Sequence, residues 1–322
     1  MKSLFLAGGT GFFGRSFINA FINGKLSRWG VGELIISARN ASGFAQANPE
    51  YCKPNITFLD LDVAAVCEMP ICDYAMHFAN SSDKASYEKN LQKEILNIEK
   101  SMKAFVKSFE SSVSDPSHML YASSGAVYGH AVSKTFSEYD KVSDSNGFSS
   151  LKKHYAAAKI ISEQIFHQLK KNSRNLSIAR CYSFVGPELP LDTHFVVGNL
   201  IQNVLSHEAL KITDHRPVVR SYLHTDDLIT WLMEALLNGS TSCRTFNVGS
   251  DDSIEIHDLA RQLANHFELP TEIASRSEDN ADWYVPNIKM ARSIGLDVSL
   301  SSIEAIIKTV DEIQANSSRH SI

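Results

Sequence analysis

Short apolar runs alternate with longer amphipathic stretches through the first half of the chain. Six runs have the length of a buried strand: residues 4–7, 34–36, 56–59, 74–79, 119–122 and 176–179. Three of the stretches between them repeat apolar residues at helical spacing: residues 15–26, 86–109 and 154–169. Strands that alternate with helices predict β-α-β units, and therefore a parallel sheet covered by helices on both faces.

The alternation loosens after Arg180. Helical periodicity continues over about residues 195–205, 226–237, 256–267 and 302–313, separated by loops and short strands. We expect a first domain over residues 1–182, with returning segments from about 215–250, and a smaller mixed α/β lobe formed mainly by residues 183–322. No linker rich in proline, glycine or serine divides the chain, so the boundary is expected to be discontinuous in sequence.

The composition is that of an ordinary globular protein. Of 322 residues, 43% are hydrophobic and 21% are charged, which argues against a disordered or coiled-coil chain. The net charge of −5 gives no reason to expect a nucleic-acid partner, and no apolar run approaches the ~20 residues that span a membrane. The five cysteines are widely spaced without a C-x-x-C pair, so neither a disulfide framework nor a metal site is expected. We find no export signal at the N-terminus and expect a cytoplasmic protein.

A glycine-rich segment directly follows the first predicted strand. It reads Gly8-Gly9-Thr10-Gly11-Phe12-Phe13-Gly14. Glycines at positions 8, 11 and 14 let the backbone turn tightly and approach a pyrophosphate, while the following helix points its N–H groups at that anion. The strand–turn–helix setting predicts a dinucleotide site, and the alternative is a tight turn without a ligand.

The end of the second predicted strand bears on which dinucleotide binds. An acidic residue there bonds the ribose hydroxyls of NAD, whereas an arginine accommodates the additional phosphate of NADP. The chain has Arg39 and no acid at this point. We therefore favour NADP over NAD, and the alternative is that Arg39 is only a solvated surface charge.

A tyrosine and a lysine lie four residues apart on the helix predicted before the sixth strand. Tyr155 and Lys159 share one helix face, and a nearby cation lowers the pKa of a phenol from its usual ~10. Tyr155 is therefore a candidate acid/base near neutral pH. Ser124 ends the fifth predicted strand, where ligands of parallel sheets bind, and its hydroxyl can bond the oxygen that Tyr155 deprotonates.

These glycines, Ser124, Tyr155 and Lys159, in this order and spacing, resemble the extended short-chain dehydrogenase/reductase family. More narrowly, the chain resembles the nucleotide-sugar branch of epimerases, dehydratases and reductases. Further matches run along nearly the whole chain: Asp62-Val63, His77-Phe78-Ala79, Asn90, Val127-Tyr128-Gly129, Arg180 with Gly186-Pro187, Asn199-Leu200, Arg220, Asp227, Asn247-Val248-Gly249, and Arg276 with Asp279.

The resemblance implies an α/β fold, a Rossmann-type doubly wound parallel sheet with a smaller mixed α/β substrate-binding lobe. It implies these cofactor-binding residues: Gly8, Thr10, Gly11, Phe12, Phe13, Gly14, Arg39, Asp62, Val63, Phe78, Ala79, Tyr155, Lys159 and Tyr182. It implies these substrate-binding residues: Ser124, Ser183, Asn199, Leu200, Arg220 and Arg276. Arg220 and Arg276 would hold the diphosphate of a nucleotide sugar, because guanidinium groups suit phosphate oxygens.

The resemblance also implies a homodimer, in which the helix around residues 90–109 and the Tyr155 helix pack against their twins. Apolar residues recur along the first of these helices at helical spacing: Leu91, Ile95, Ile98, Met102 and Phe105. One such face must cover the sheet, so the sequence leaves open which helices form the interface.

Several positions depart from the family pattern. Gly125-Ala126 stands where sugar 4,6-dehydratases carry adjacent Asp and Glu, so elimination of water lacks its acid and base. Ser183 and Ser221 replace an asparagine and an aspartate of the pattern, and His154 stands where proline is common. Thr213-Asp214-His215 occupies the place of the usual glycines. These changes lie on the sugar and diphosphate side, so they bear on the substrate more than on the chemistry.

We therefore predict an NAD(P)-dependent nucleotide-sugar epimerase that oxidises a sugar hydroxyl transiently through Tyr155. The alternative on the same residues is a nucleotide-sugar keto-reductase or dehydrogenase. A sugar dehydratase and a noncatalytic NADP-binding scaffold are the less favoured hypotheses.

Overall fold

The computed structural model describes residues 1–79, 91–129, 135–143, 150–172, 174–191, 195–278 and 280–319. Asn90 and Asp279, two of the family matches, lie outside these ranges. The described residues group into two compact units. The first draws on Met1–Gly129, Lys141–Cys181 and Ile229–Phe246, and the second on His130–Asp140, Tyr182–Leu228 and Asn247–Ile322.

A seven-stranded sheet in the order β11-β6-β5-β4-β1-β2-β3 organises the first unit. The strands are β1 (Lys2–Ala7), β2 (Val31–Ala38), β3 (Ile56–Asp60), β4 (Tyr74–His77), β5 (His118–Ser124), β6 (Asn175–Cys181) and β11 (Arg244–Val248). The neighbouring strands from β6 to β3 pair in parallel. All six predicted strands are thus confirmed, as is the doubly wound α/β fold.

Helices cover this sheet because its strands are apolar on both faces. The helices of this region are α1 (Phe12–Ile22), α2 (Ala41–Ala47), α3 (Leu91–Ser111), α4 (Ser150–Phe166) and α6 (Thr225–Leu237), the last of which begins in the second unit. Phe5 and Tyr121 pack in one cluster with Phe105 of α3 and Phe166 of α4. Leu4 and Leu6, which point to the opposite face, are also fully buried.

Short strands and three longer helices form the second unit. Its strands are β7 (Phe184–Val185), β8 (Leu210–Ile212), β9 (Val218–Ser221), β10 (Leu223–His224), β12 (Ser253–Glu255), β13 (Thr271–Ile273) and β14 (Asp282–Tyr284). Its helices are α5 (Val196–Leu205), α7 (Ile256–Phe267), α8 (Lys289–Ser293) and α9 (Ser302–Arg319). A three-stranded sheet has the order β12-β9-β14, and α5, α7 and α9 share one apolar core.

Candidate active site

The glycine-rich turn between β1 and α1 is fixed by the packing of the protein itself at two of its glycines. Gly8 has a φ of 77°, and a Cβ added there would lie 2.5 Å from the Ala79 backbone. At Gly14, an added Cβ would lie 2.0 Å from the Gly9 carbonyl oxygen, so α1 packs directly on the turn. Gly8 and Gly9 both donate to the Ser37 carbonyl, at 2.9 and 3.0 Å. The fold requires glycine at positions 8 and 14.

Gly11 is different, because nothing in the protein crowds it. A Cβ added there would meet only the Gly8 carbonyl oxygen, at 3.7 Å, and its φ of −80° is accessible to any residue. Gly11 is exposed and is the residue before α1, whose first turn has no side-chain cap. Thr10 and Phe12 beside it are partly exposed. Uncrowded backbone at a bare helix N-terminus fits a pyrophosphate.

Aromatic side chains pack together next to this turn. Phe78 packs against Phe13 and Phe17 of α1, with ring centroids 5.5 and 5.6 Å apart. The Phe78 N–H donates to the Ala7 carbonyl at 2.8 Å, which holds the end of β4 beside the end of β1. The structure therefore brings together the glycine turn, Phe13, Phe78 and Ala79.

Arg39 directly follows β2 and is exposed. The neighbouring strand β3 contributes a carboxylate, Asp60, that the sequence reasoning missed. Asp60 of β3 pairs in register with Ala38. It accepts the Ser42 N–H at 2.8 Å and also the Ser42 hydroxyl, and these bonds lower its pKa. An anionic group thus lies next to the position where an acid is missing from β2. Two residues further on, Asp62 accepts the Ala64 N–H at 3.0 Å, and Val63 is buried.

Lys159 is buried beneath Tyr155 on α4. Its Nζ donates to the Ala122 carbonyl at 2.9 Å and lies 5.0 Å from the centroid of the Tyr121 ring. The same Nζ is 5.8 Å from the centroid of the Tyr155 ring, which is partly exposed. Burial lowers the pKa of Lys159 from 10.5 to about 8. A cation therefore lies beside the phenol, as the helical spacing predicts, and its charge is sensitive to its surroundings.

Ser124 ends β5 and is mostly buried. Its hydroxyl oxygen accepts the Ala126 N–H at 3.2 Å and so caps the short 3-10 helix Gly125–Tyr128. In the sheet it pairs with Cys181 of β6, whose pKa burial raises to about 12. Ser124 thus lies at the carboxyl end of the sheet, where ligands of parallel sheets bind and where its hydroxyl could form a hydrogen bond to one.

Four buried side chains next to these residues form a network around Glu163, a residue that the sequence reasoning did not single out. Glu163 of α4 accepts from the Ser123 hydroxyl at 2.5 Å and from the Arg180 guanidinium at 2.8 and 3.1 Å. Arg180 also donates to the Tyr128 hydroxyl at 3.0 Å. Each of the four is at most 8% exposed. The network ties the end of β5 to α4 and β6.

His77, from the predicted H-x-A match, is a core residue. Its ring meets Phe105 edge to face with centroids 4.6 Å apart, and burial lowers its pKa to about 3. It is therefore neutral over the physiological pH range. Among the described residues, no group of three or more histidine, cysteine or acidic side chains could hold a metal ion.

In the second unit, Tyr182 and Ser183 lie where β6 is followed by β7. The Tyr182 ring stacks at a tilt on Tyr284, with centroids 4.6 Å apart, and its N–H donates to the Val248 carbonyl at 3.0 Å. The Ser183 carbonyl accepts the Leu223 N–H at 3.1 Å. On α5, Asn199 is exposed and Leu200 is only 1% exposed in the apolar core. The Leu200 side chain is therefore not available to a ligand.

Arg220 of β9 already has anionic and carbonyl partners. It donates to a side-chain oxygen of Asp282 at 3.0 Å and to the Val219 and Asp282 carbonyls at 2.8 and 2.7 Å. Arg216 binds the same carboxylate at 3.2 Å, and the Tyr284 ring centroid lies 5.9 Å from the Arg220 guanidinium. The sequence reasoning missed Asp282 and Tyr284, whose contacts with Arg220 depend on the pairing of β9 with β14.

Arg276 is likewise paired with carboxylates. Its guanidinium lies 2.6 Å from Glu255 and 2.5 Å from Asp258, and Glu255 also contacts His257 at 2.8 Å. The Arg276 side chain remains 41% exposed. Either arginine can bind a phosphate only by exchanging or sharing a carboxylate partner.

Comparison with known proteins identifies the family of this chain. The NAD dependent epimerase/dehydratase family matches residues 4–249, most of the chain. The chain belongs to this family. A curated relative, the UDP-glucose 4-epimerase of Mycoplasma genitalium, is 24% identical over 201 residues. That alignment covers 56% of this chain and 58% of the relative, so the chain spans less than two thirds of its length.

Solved structures of family members share the fold. The UDP-glucose 4-epimerase of Thermotoga maritima, determined with UDP-glucose, aligns with a TM-score of 0.77 at 18% identity and covers 98% of this chain and 99% of that one. The UDP-glucuronic acid 4-epimerase of Bacillus cereus, in complex with UDP-glucuronic acid and NAD, gives 0.76 at 17% identity, again with 98% and 99% coverage. Within the part of this chain that the structure describes, no helix is long and apolar enough to cross a membrane.

Proposed function

We propose that this member of the epimerase/dehydratase family is a nicotinamide-dependent epimerase of a nucleotide diphosphate sugar, with carbon 4 as the inverted centre. The observation that carries the proposal is the buried Lys159 ammonium beside the Tyr155 ring, with Ser124 at the end of β5. The names of the relatives support the substrate class and the carbon.

The residues that would hold the cofactor fit it. Gly11 and the uncapped first turn of α1 would take the pyrophosphate, and Lys159 the nicotinamide ribose. A nicotinamide bound there would supply reversible hydride transfer with the sugar carbon. Tyr155 would take the proton of the sugar hydroxyl as the ketone forms and give it back on reduction. Ser124 would donate a hydrogen bond to the same oxygen, and Lys159 would favour the phenolate.

We infer NADP as the preferred cofactor, because Arg39 is exposed at the end of β2 and Ala38 stands where an acid would be. Asp60, beside Ala38, opposes this preference, since its carboxylate would repel an additional phosphate. A keto-reductase is the second candidate, because Arg39 favours NADP and reductases use NADPH as their hydride donor. Gly125 and Ala126, in the 3-10 helix after Ser124, supply no acid or base for a dehydratase.

The test is incubation with UDP-, dTDP-, CDP- and GDP-sugars in the presence of NAD or NADP, with products resolved by NMR and nicotinamide followed by absorbance. An epimerase forms the epimer without net change in the cofactor, whereas net oxidation or reduction of nicotinamide would establish the reductase instead. Tyr155→Phe should lower turnover at least about a hundredfold and still bind cofactor. Tyr139→Phe, a change at a tyrosine that is 85% exposed, is the matched control and should be neutral. Normal turnover by folded Tyr155→Phe would refute the mechanism.

A further inference from the structure

The buried pair of Glu163 and Arg180 is not explained by stability. Moving two charges out of water costs about as much as their attraction returns, so apolar residues of similar size often stabilise a protein equally well. The pair is nonetheless buried, and both Glu163 oxygens accept hydrogen bonds. A specific role at this place in the fold would account for it.

The role follows from the position of Glu163 on α4. Tyr155, Lys159 and Glu163 stand at intervals of four residues, so they follow one another along a single face of the helix. Arg180 and Ser123 fix the Glu163 carboxylate from β6 and β5, which pair in register at these two residues. Glu163 therefore cannot rotate away from the helix face that carries Lys159.

Apart from Tyr155, whose proton the proposed reaction would move, the other groups around Lys159 carry no negative charge at neutral pH. The groups that face it come from β4, β5, β6 and α4: His77, Tyr121, the Ala122 carbonyl, Cys181, Tyr155 and Glu163. Burial keeps His77 neutral, with a pKa of about 3, and raises the pKa of the Cys181 thiol to about 12. Among these described groups, Glu163 is the one whose carboxylate opposes the desolvation of Lys159.

We propose that Glu163, fixed by Arg180 and Ser123, is a positioning residue whose carboxylate keeps the buried Lys159 ammonium charged beside Tyr155. The inference rests on the proposed function, because it is the charge on Lys159 that makes Tyr155 an effective acid/base. Without Glu163, Lys159 would share its buried surroundings with the unpaired Arg180 cation and would lose its proton more readily.

The experiment is a pH titration of Lys159 by NMR in protein labelled with ¹³C at the lysine side chains, with the signal assigned by Lys159→Arg. The wild-type midpoint is expected at about 8. Glu163→Gln, which keeps the shape and removes the charge, should lower it by about one pH unit or more. The titration needs no turnover, so it tests this inference even if no nucleotide sugar is converted. If the protein is an active epimerase, the alkaline limb of its pH–rate profile should move by the same amount.

Ser123→Ala is the matched control, because it removes one hydrogen bond to Glu163 and leaves both charges in place. Its Lys159 midpoint should stay at the wild-type value. If Glu163→Gln does not fold, Glu163→Gln with Arg180→Gln avoids an isolated buried cation and should still lower the midpoint. A wild-type midpoint in either folded variant overturns the proposal.

Discussion

Replacing Gly11 with alanine separates what the fold requires from what a ligand requires. An added Cβ meets only the Gly8 carbonyl oxygen, at 3.7 Å, which is ordinary contact. Replacing glycine lowers the conformational entropy of the unfolded chain, which favours the folded state by about 0.4–1 kcal/mol. Alanine is a poorer residue than glycine before a helix by a similar amount. We therefore expect the melting temperature of Gly11→Ala to stay within about 3 °C of wild type.

Dinucleotide binding should respond very differently. A methyl group at this position keeps a pyrophosphate away from the first turn of α1, and a hydrogen bond to a charged group contributes about 2 kcal/mol. Losing one such bond weakens binding at least about tenfold. Calorimetric titration with NAD and NADP, beside thermal melts of the same preparations, measures both quantities.

Two other glycines serve as controls. Gly14→Ala places its Cβ 2.0 Å from the Gly9 carbonyl, so the backbone must move and the melting temperature should fall markedly. Gly24→Ala changes a glycine with a φ of 73° and no neighbouring atom within 4 Å, so it should cost some stability and leave binding intact. If Gly11→Ala binds the dinucleotide within twofold of wild type, the cofactor does not approach this turn and the reasoning is wrong.

Three further predictions concern Lys159, the cofactor and assembly. The pKa of Lys159 is about 8 when folded and 10.5 ordinarily, so below pH 8 its burial costs about 3 kcal/mol of folding free energy. That cost disappears as the pH rises from 8 to 10.5, because the unfolded chain then holds the proton that the folded protein has released. Lys159→Met should consequently melt higher at pH 7, show a flatter stability profile between these pH values and lose turnover; an unchanged profile in denaturant unfolding would contradict the assigned pKa. Arg39→Ala should weaken NADP roughly tenfold relative to NAD, and Asp60→Asn should strengthen NADP; equal or tighter NAD binding that Arg39→Ala leaves unchanged would contradict the NADP assignment. We expect a homodimer in analytical ultracentrifugation at micromolar concentration, and a monomer there would refute it.

The sequence predicted the sheet well because each central strand is an apolar run bounded by polar residues. Position at a strand end likewise placed Ser124 correctly, and helical spacing placed Lys159 beside Tyr155. The pairing of β11 with β6 was not predictable, because strand order depends on contacts far apart in sequence. Helix α2 has seven residues and too little periodicity to be recognised.

The missed site residues share one property, which is that their partners are distant in the chain. Glu163 belongs to a residue type that is almost always exposed, so sequence alone suggests a surface position for it. Its burial follows only from the packing of α4 on β5 and β6. The stripe on α3 illustrates the converse: Ile98, Met102 and Phe105 are buried within the chain itself. These three residues are therefore not available to an interface.

Because Arg220 pairs with Asp282, an anion that binds Arg220 would have to replace a carboxylate of the protein itself. A phosphate that binds Arg220 has to compete with a carboxylate tethered to the same unit, which acts as an inhibitor at very high effective concentration. Chloride and sulfate from solution would face the same competitor. Arg216 gives the displaced carboxylate a second cation to hold. Because one anion replaces another, ligand affinity at Arg220 should depend less on ionic strength than at an uncompensated arginine.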